Sequence, residues 1–218
     1  MMYARRGFLL SAAGCALAAC VPGEMEVVEA PPAAPPDPTL AFAEIYAARP
    51  DGGRTVPALD VSGFHPALLR NEVDYPTDQP PGTIVIDTRG PFLYHVEGGG
   101  RATRYGIALG REGFGWPGTG RIARTARWPT WTPPPEMIAR EPHLEQWRSG
   151  MPGGLNNPLG ARALYIYFGG RDSGYRIHGT NQPKSIGWAA SSGCFRMINQ
   201  DVIDLYERTP NGARVIVG

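Results

Sequence analysis

Residues 81–109 read PGTIVIDTRGPFLYHVEGGGRATRYGIAL, and this stretch decides the fold. Apolar and β-branched runs of four to ten residues, Thr83–Asp87, Phe92–Val96 and Arg101–Leu109, are separated by glycine and proline. That is how successive short strands and tight turns read. Gly98, Gly99 and Gly100 supply a turn in which residues with a side chain would be strained. The pattern continues with candidate strands at Arg121–Trp128, Ala163–Phe168, Tyr175–His178 and Arg214–Val217. Besides a short run at Ala41–Ala48, only Pro134–Glu141 and Asn199–Thr209 read as helices. In the second, Asn199 is placed to cap the start, Asp201 and Asp204 suit its positive end, and Gly212 follows its end. A mainly β domain with one or two short helices is expected over residues 81–218.

The chain has 218 residues, with 29 glycines and 23 prolines, so a long helical bundle is excluded, while 42% apolar content still permits a core. A formal charge of +1, with no basic run, excludes an electrostatic nucleic-acid surface. Arg101, Arg104, Arg121, Arg124 and Arg127 alternate along strand-like runs and are expected on solvated faces.

The first twenty residues, MMYARRGFLLSAAGCALAAC, have a basic head, a 13-residue apolar run from Gly7 to Ala19, and a cysteine after small residues. A spanning helix needs about 20 residues, so a removable leader is the better reading. Arg5-Arg6-Gly7-Phe8-Leu9 resembles a twin-arginine export signal. Leu17-Ala18-Ala19-Cys20 resembles a lipobox, which implies lipidation of Cys20 and a periplasmic, membrane-anchored lipoprotein. Val21 after that cysteine resembles the outer-membrane sorting pattern. Residues 21–40 read as a Pro/Ala-rich linker, and residues 41–80 as an extension packing on the main domain. Processing removes Cys15 and lipidation occupies Cys20, leaving Cys194 as an unmodified thiol that calls for a reason.

Gly113-Phe114-Gly115-Trp116-Pro117-Gly118 matches a dinucleotide fingerprint by letter. Pro117 and the strand after it exclude the helix that motif needs, so no cofactor is expected. His65, His95, His143 and His178 are too scattered for a metal site. The remaining constellation is Ile177-His178-Gly179-Thr180 followed by Ser191-Ser192-Gly193-Cys194-Phe195-Arg196-Met197. A thiol attacks acyl carbon as thiolate, and therefore wants a base, an exposed turn and N–H donors for the oxyanion. This segment offers all three.

The stretch IHGTNQPKSIGWAASSGCFRM closely resembles the active-site signature of the YkuD-type L,D-transpeptidases, and the resemblance extends over roughly residues 81–217, including the Asn157-Pro158-Leu159-Gly160 loop. Ser192 departs from the histidine many members carry there. The resemblance implies a YkuD-like β-sandwich or barrel and a thioester mechanism. Cys194 would be the nucleophile, His178 the base and the Gly179 carbonyl its orienting group. Gly193 and Cys194 would supply oxyanion N–H groups, with Ser191 and Ser192 lining the same turn. Arg196 would either hold a substrate carboxylate or brace the turn. The implied reaction is peptidoglycan cross-linking between stem peptides. L,D-carboxypeptidase or amidase hydrolysis through the same thioester, and an inactive wall-binding lipoprotein, are the alternatives. A carbapenem is the implied covalent inhibitor. Trp116, Trp128, Trp131, Tyr165, Tyr167 and Trp188 are candidate cleft aromatics, each weighed against an ordinary core role.

Overall fold

Twelve strands and three α-helices are described in the computed structural model, which covers residues 38–110, 118–190 and 194–218. The leader with Cys20, the linker up to residue 37 and the glycine run from Gly113 to Pro117 lie outside the described residues. So do Ser191, Ser192 and Gly193.

The strands are β1 (Arg49–Asp51), β2 (Arg54–Val56), β3 (Asn71–Asp74), β4 (Ile84–Asp87), β5 (Phe92–Gly98) and β6 (Arg101–Gly110), then β7 (Gly118–Arg127), β8 (Arg162–Phe168), β9 (Arg171–His178), β10 (Ala189–Ala190), β11 (Phe195–Met197) and β12 (Arg214–Val217). The helices are α1 (Pro38–Ile45), α2 (Pro135–Arg140) and α3 (Asn199–Arg208). Pairing runs β6–β11–β9–β8–β7–β12–β4–β5 and returns to β6, closing an eight-strand barrel. The expected mainly β fold is thus a barrel, with two short α-helices in residues 81–218. β1 and β2 form a separate hairpin, while β3 and β10 attach to the long β6.

Closure follows from the period-2 pattern. Ile84 and Ile86 of β4, Val215 and Val217 of β12, and Ile177 of β9 turn into one core with Leu93, Ile107, Phe195 and Met197. Truncating a residue so placed, such as Leu93→Ala, costs about 2–5 kcal/mol. The glycine turn behaves as its composition requires, with φ of 93°, 59° and 76° at Gly98, Gly99 and Gly100.

Residues 38–80 supply much of a second cluster. Tyr46 and Leu69 are buried with Ala108, Ile186 and Ile198, and Phe42, Ile45 and Phe64 pack against them. The helix expected at Ala41–Ala48 runs instead from Pro38 to Ile45, since proline's fixed φ suits a first helical position. β1, β2, β3, β10 and β11 had no strand signal of their own. They are two to four residues long: β1 and β2 pair with each other across the Gly52–Gly53 turn, while β3, β10 and β11 are specified by barrel strands.

The cap expected at Asn199 is corrected: Ile198 holds the cap position, with no side-chain cap bond, and Asn199 is the first helical residue. Its amide is drawn into tertiary bonds. Oδ1 accepts from the Ala161 N–H at 2.9 Å, and Nδ2 donates to the Thr180 carbonyl at 2.9 Å.

Candidate active site

His178 is the last residue of β9, and Cys194 immediately precedes β11. These two strands lie side by side and parallel, with Phe195 opposite Ile177 and Arg196 opposite His178. Since Phe195 and Ile177 face the core, alternation assigns Cys194, Arg196, Arg176 and His178 to the opposite face. Sixteen residues apart in sequence, the thiol and imidazole are brought onto neighbouring strands by this one parallel pairing. Cys194 is a half-buried thiol, and its carbonyl accepts from the Gly110 N–H at 3.2 Å, tying the turn to β6.

The imidazole is fixed from one side. His178 Nδ1 lies 2.6 Å from the Gly179 carbonyl, and because a carbonyl only accepts, Nδ1 carries the hydrogen and Nε2 keeps the basic lone pair. The Gly179 N–H in turn donates to the Arg162 carbonyl at 3.0 Å. A side chain at Gly179 would stand 2.2 Å from Asn199 Oδ1, and one at Gly160 would meet that atom and lie 2.5 Å from the Thr180 nitrogen. The two glycines therefore allow three segments to meet behind the histidine. Gly160 adopts φ +60°, a left-handed conformation that glycine accepts without penalty.

Burial dominates the electrostatics. It pushes the His178 imidazole down to about 4, the Gly179 carbonyl opposes this, and the cations of Arg196 and Arg176 add to the depression. The ring is thus neutral at pH 7. Arg196 is half-buried, and burial lowers its guanidinium while interaction with Cys194 favours its cation.

The Asn157–Gly160 loop is held by a fully buried Asn157. Its Nδ2 reaches the carbonyls of Pro129, Met151 and Pro152 at 3.1 Å, and its Oδ1 accepts from the Leu159 N–H at 2.8 Å. Behind Arg162, Asp51 of the β1–β2 hairpin accepts two bonds from its guanidinium, at 2.6 and 2.7 Å, and Arg162 is wholly buried. Asn199, Asn157 and the Asp51–Arg162 pair were not among the site candidates. Their roles are not legible locally, because each also binds a partner 28 or more residues away, Pro129 for Asn157, Ala161 for Asn199 and Asp51 for Arg162.

Among the described residues, the candidate aromatics do not share one cleft. Trp128 packs on Val56, Ala161 and Ile203, and Trp131 bridges to Met151. Tyr165 is buried beneath Arg124 and Arg176, Tyr167 borders a cavity with Arg121, and Trp116 lies outside the described residues. Trp188, 73% exposed, borders two cavities just before the cysteine turn. The solvated-face reading of the arginines holds for Arg101, Arg121, Arg124 and Arg127, whereas Arg104 is half-buried over Phe92.

The barrel thus brings a half-buried thiol and a neutral imidazole to the ends of adjacent strands. Residues 81–217 match the family model YkuD, the L,D-transpeptidase catalytic domain, and the chain belongs to that family. It is similar to two Escherichia coli K12 proteins named "Probable L,D-transpeptidase". YbiS is 34% identical over 142 residues, which is 62% of this chain and 43% of that protein. ErfK/SrfK is 40% identical over 98 residues, 43% and 29% respectively. The match spans less than half the length of either relative. Among solved structures, one from Brucella melitensis, named "Probable carnitine operon oxidoreductase caia", is 47% identical at a TM-score of 0.50, covering 69% of this chain and 94% of that one. The oxidoreductase name belongs to that protein.

Proposed function

We propose that this chain forms peptidoglycan cross-links, passing the acyl group of a tetrapeptide stem through Cys194 to an amine of a second stem. The observation that carries the reading is the Nδ1–H···O=C bond from His178 to Gly179, which leaves Nε2 basic on the strand beside Cys194. Nε2 takes the thiol proton, and the thiolate attacks the donor carbonyl. The terminal D-amino acid leaves with that proton, and the acceptor amine resolves the thioester. The Gly179 carbonyl is the orienting acceptor that a carboxylate provides in other triads. On the family's pattern, Gly193 and Cys194 are assigned the oxyanion N–H groups. Arg196 favours the thiolate and the charge that develops on the carbonyl oxygen.

Export as a lipoprotein, with Cys20 carrying the lipid, would put the domain in the periplasm, linked through the Pro/Ala-rich residues 21–40 to the inner or the outer membrane. The test is the product mixture from purified muropeptides. Cross-linked dimer is expected. Shortened monomer would instead assign an L,D-carboxypeptidase or amidase, and unchanged substrate would indicate a wall-binding protein.

A further inference from the structure

The face of the barrel that carries Cys194 and His178 continues across three more strands as a row of cations and tyrosines. Arg124 of β7 pairs in register with Tyr165 of β8, and Tyr165 with Arg176 of β9. The Arg124 guanidinium lies 3.5 Å from the Tyr165 ring centroid, and that of Arg176 lies 4.5 Å from it. Arg176 is neutralised by Asp172 through bonds of 2.7 and 2.9 Å. Arg124 is exposed and makes no ion pair with a carboxylate of the described residues. A guanidinium stacked on a ring still holds its N–H donors in its own plane, oriented for a bidentate acceptor.

The next row continues the same chemistry. Arg121 and Arg214 stand directly opposite one another on β7 and β12, an arrangement of like charges that is unfavourable in isolation. They border a 520 Å³ cavity with Thr119, Ala123 and Tyr167, and no acidic side chain lines it. Beyond the Arg176–Asp172 pair, guanidinium groups outnumber carboxylates on this face, beginning with Arg124, whose strand is three from that of Cys194 and whose cation also acts on Asp172.

Resting on the transpeptidase reading, we propose that Arg124, stacked on Tyr165, binds an internal carboxylate of the donor stem peptide, on the side of the scissile bond that stays with the enzyme. Strands lie about 4.8 Å apart, so Tyr165, two strands from Cys194, is about 10 Å away, which an extended peptide covers in about three residues. Arg176 lies between and is engaged with Asp172, so it lines the path while Arg124 makes the bond. The Arg121–Arg214 cavity receives what lies beyond.

The test uses the full chain carrying Cys194→Ala, so that binding is measured without turnover. Isothermal titration is run with a synthetic tetrapeptide stem and with the same stem whose internal carboxylates are carboxamides. Adding Arg124→Ala should weaken the carboxylate stem about tenfold and change the carboxamide stem by less than twofold. Arg124→Gln, which keeps much of the packing over Tyr165, should give the same selective loss and guards against a folding artefact. Equal losses with both stems, or none with either, would overturn the subsite and leave the stack as surface packing. A parent that binds neither stem also overturns it, while the muropeptide product mixture judges the transpeptidase reading independently.

Discussion

Asp51→Ala removes the carboxylate that holds Arg162, and its cost can be worked from the geometry. Arg162 is fully buried, its Nε makes no hydrogen bond, and without Asp51 its guanidinium keeps only the 2.8 Å bond to the Ala161 carbonyl. Removing one partner of a buried ion pair typically costs about 3–5 kcal/mol. Asp51 is 8% exposed, so water can reach the vacated site and the lower end, about 3 kcal/mol, applies. In a domain of this size each kcal/mol moves Tm by about 2–4 °C, so a fall of about 6–12 °C is expected in thermal unfolding, with a matching shift of the urea midpoint. Activity should fall as well, because the Arg162 carbonyl holds the Gly179 N–H and Gly179 holds the imidazole. The pH dependence has a definite sign. Hydrogen bonds from Arg162 hold the Asp51 pKa below its ordinary value. Its contribution is therefore complete above about pH 4 and is lost as pH falls towards the folded value. Asp51→Leu combined with Arg162→Met should recover most of the loss, since apolar groups replace a buried pair at little cost. A single variant within about 0.5 kcal/mol of the parent would refute this account.

Cys194→Ala should abolish muropeptide turnover and His178→Ala should lower kcat by several orders of magnitude, with folding retained by circular dichroism. Near-parental kcat in the histidine variant would place the base elsewhere. With the imidazole pushed down to about 4, the acid limb of kcat/KM should fall well below the ordinary histidine value of about 6.5, and a limb at 6.5 would count against His178 as the base. Burial raises Asp201 to about 7, so the folded state binds its proton more tightly than the unfolded chain and stability falls as pH rises from about 4 to 7. Asp201→Asn should remove that component, and an unchanged slope of urea stability against pH would refute it. Gly160→Ala, forced against Asn199 and the Thr180 nitrogen, should cost about 3 kcal/mol in urea titration and reduce turnover with it. Incubation with a carbapenem should give a one-to-one mass adduct that maps to the peptide of Cys194 and is absent in Cys194→Ala. An adduct retained in that variant would point to another nucleophile.

Strands rich in β-branched and apolar residues were legible because alternation and glycine turns are local signals. Phe92–Val96 and Arg214–Val217 needed no partner to be recognised, and their ends moved by no more than two residues. The brief strands β10 and β11 were not legible, since two or three residues carry no period and their pairing with β6 and β9 specifies them. His178 and Cys194 stood out by residue type and spacing. Arg162 did not: in sequence it is one more arginine entering a strand, and only Asp51, 111 residues earlier, explains its burial. Asn199 misled for a related reason. Asparagine before an apolar run is a capping signal, yet two backbone groups on other segments compete for the same amide and win.

β12 lies between β4 and β7, pairing parallel to one and antiparallel to the other. Synthesis proceeds from the amino end, so the histidine, the cysteine turn and every other strand of the ring are made before the strand that joins the two halves. Until then β4 and β7 each present an open edge. Their pairing to β12 is also long-range, about 90 to 130 residues apart along the chain. The nascent protein therefore carries Cys194 before it has a closed scaffold, and the emergence of β12 decides when that thiol acquires its surroundings.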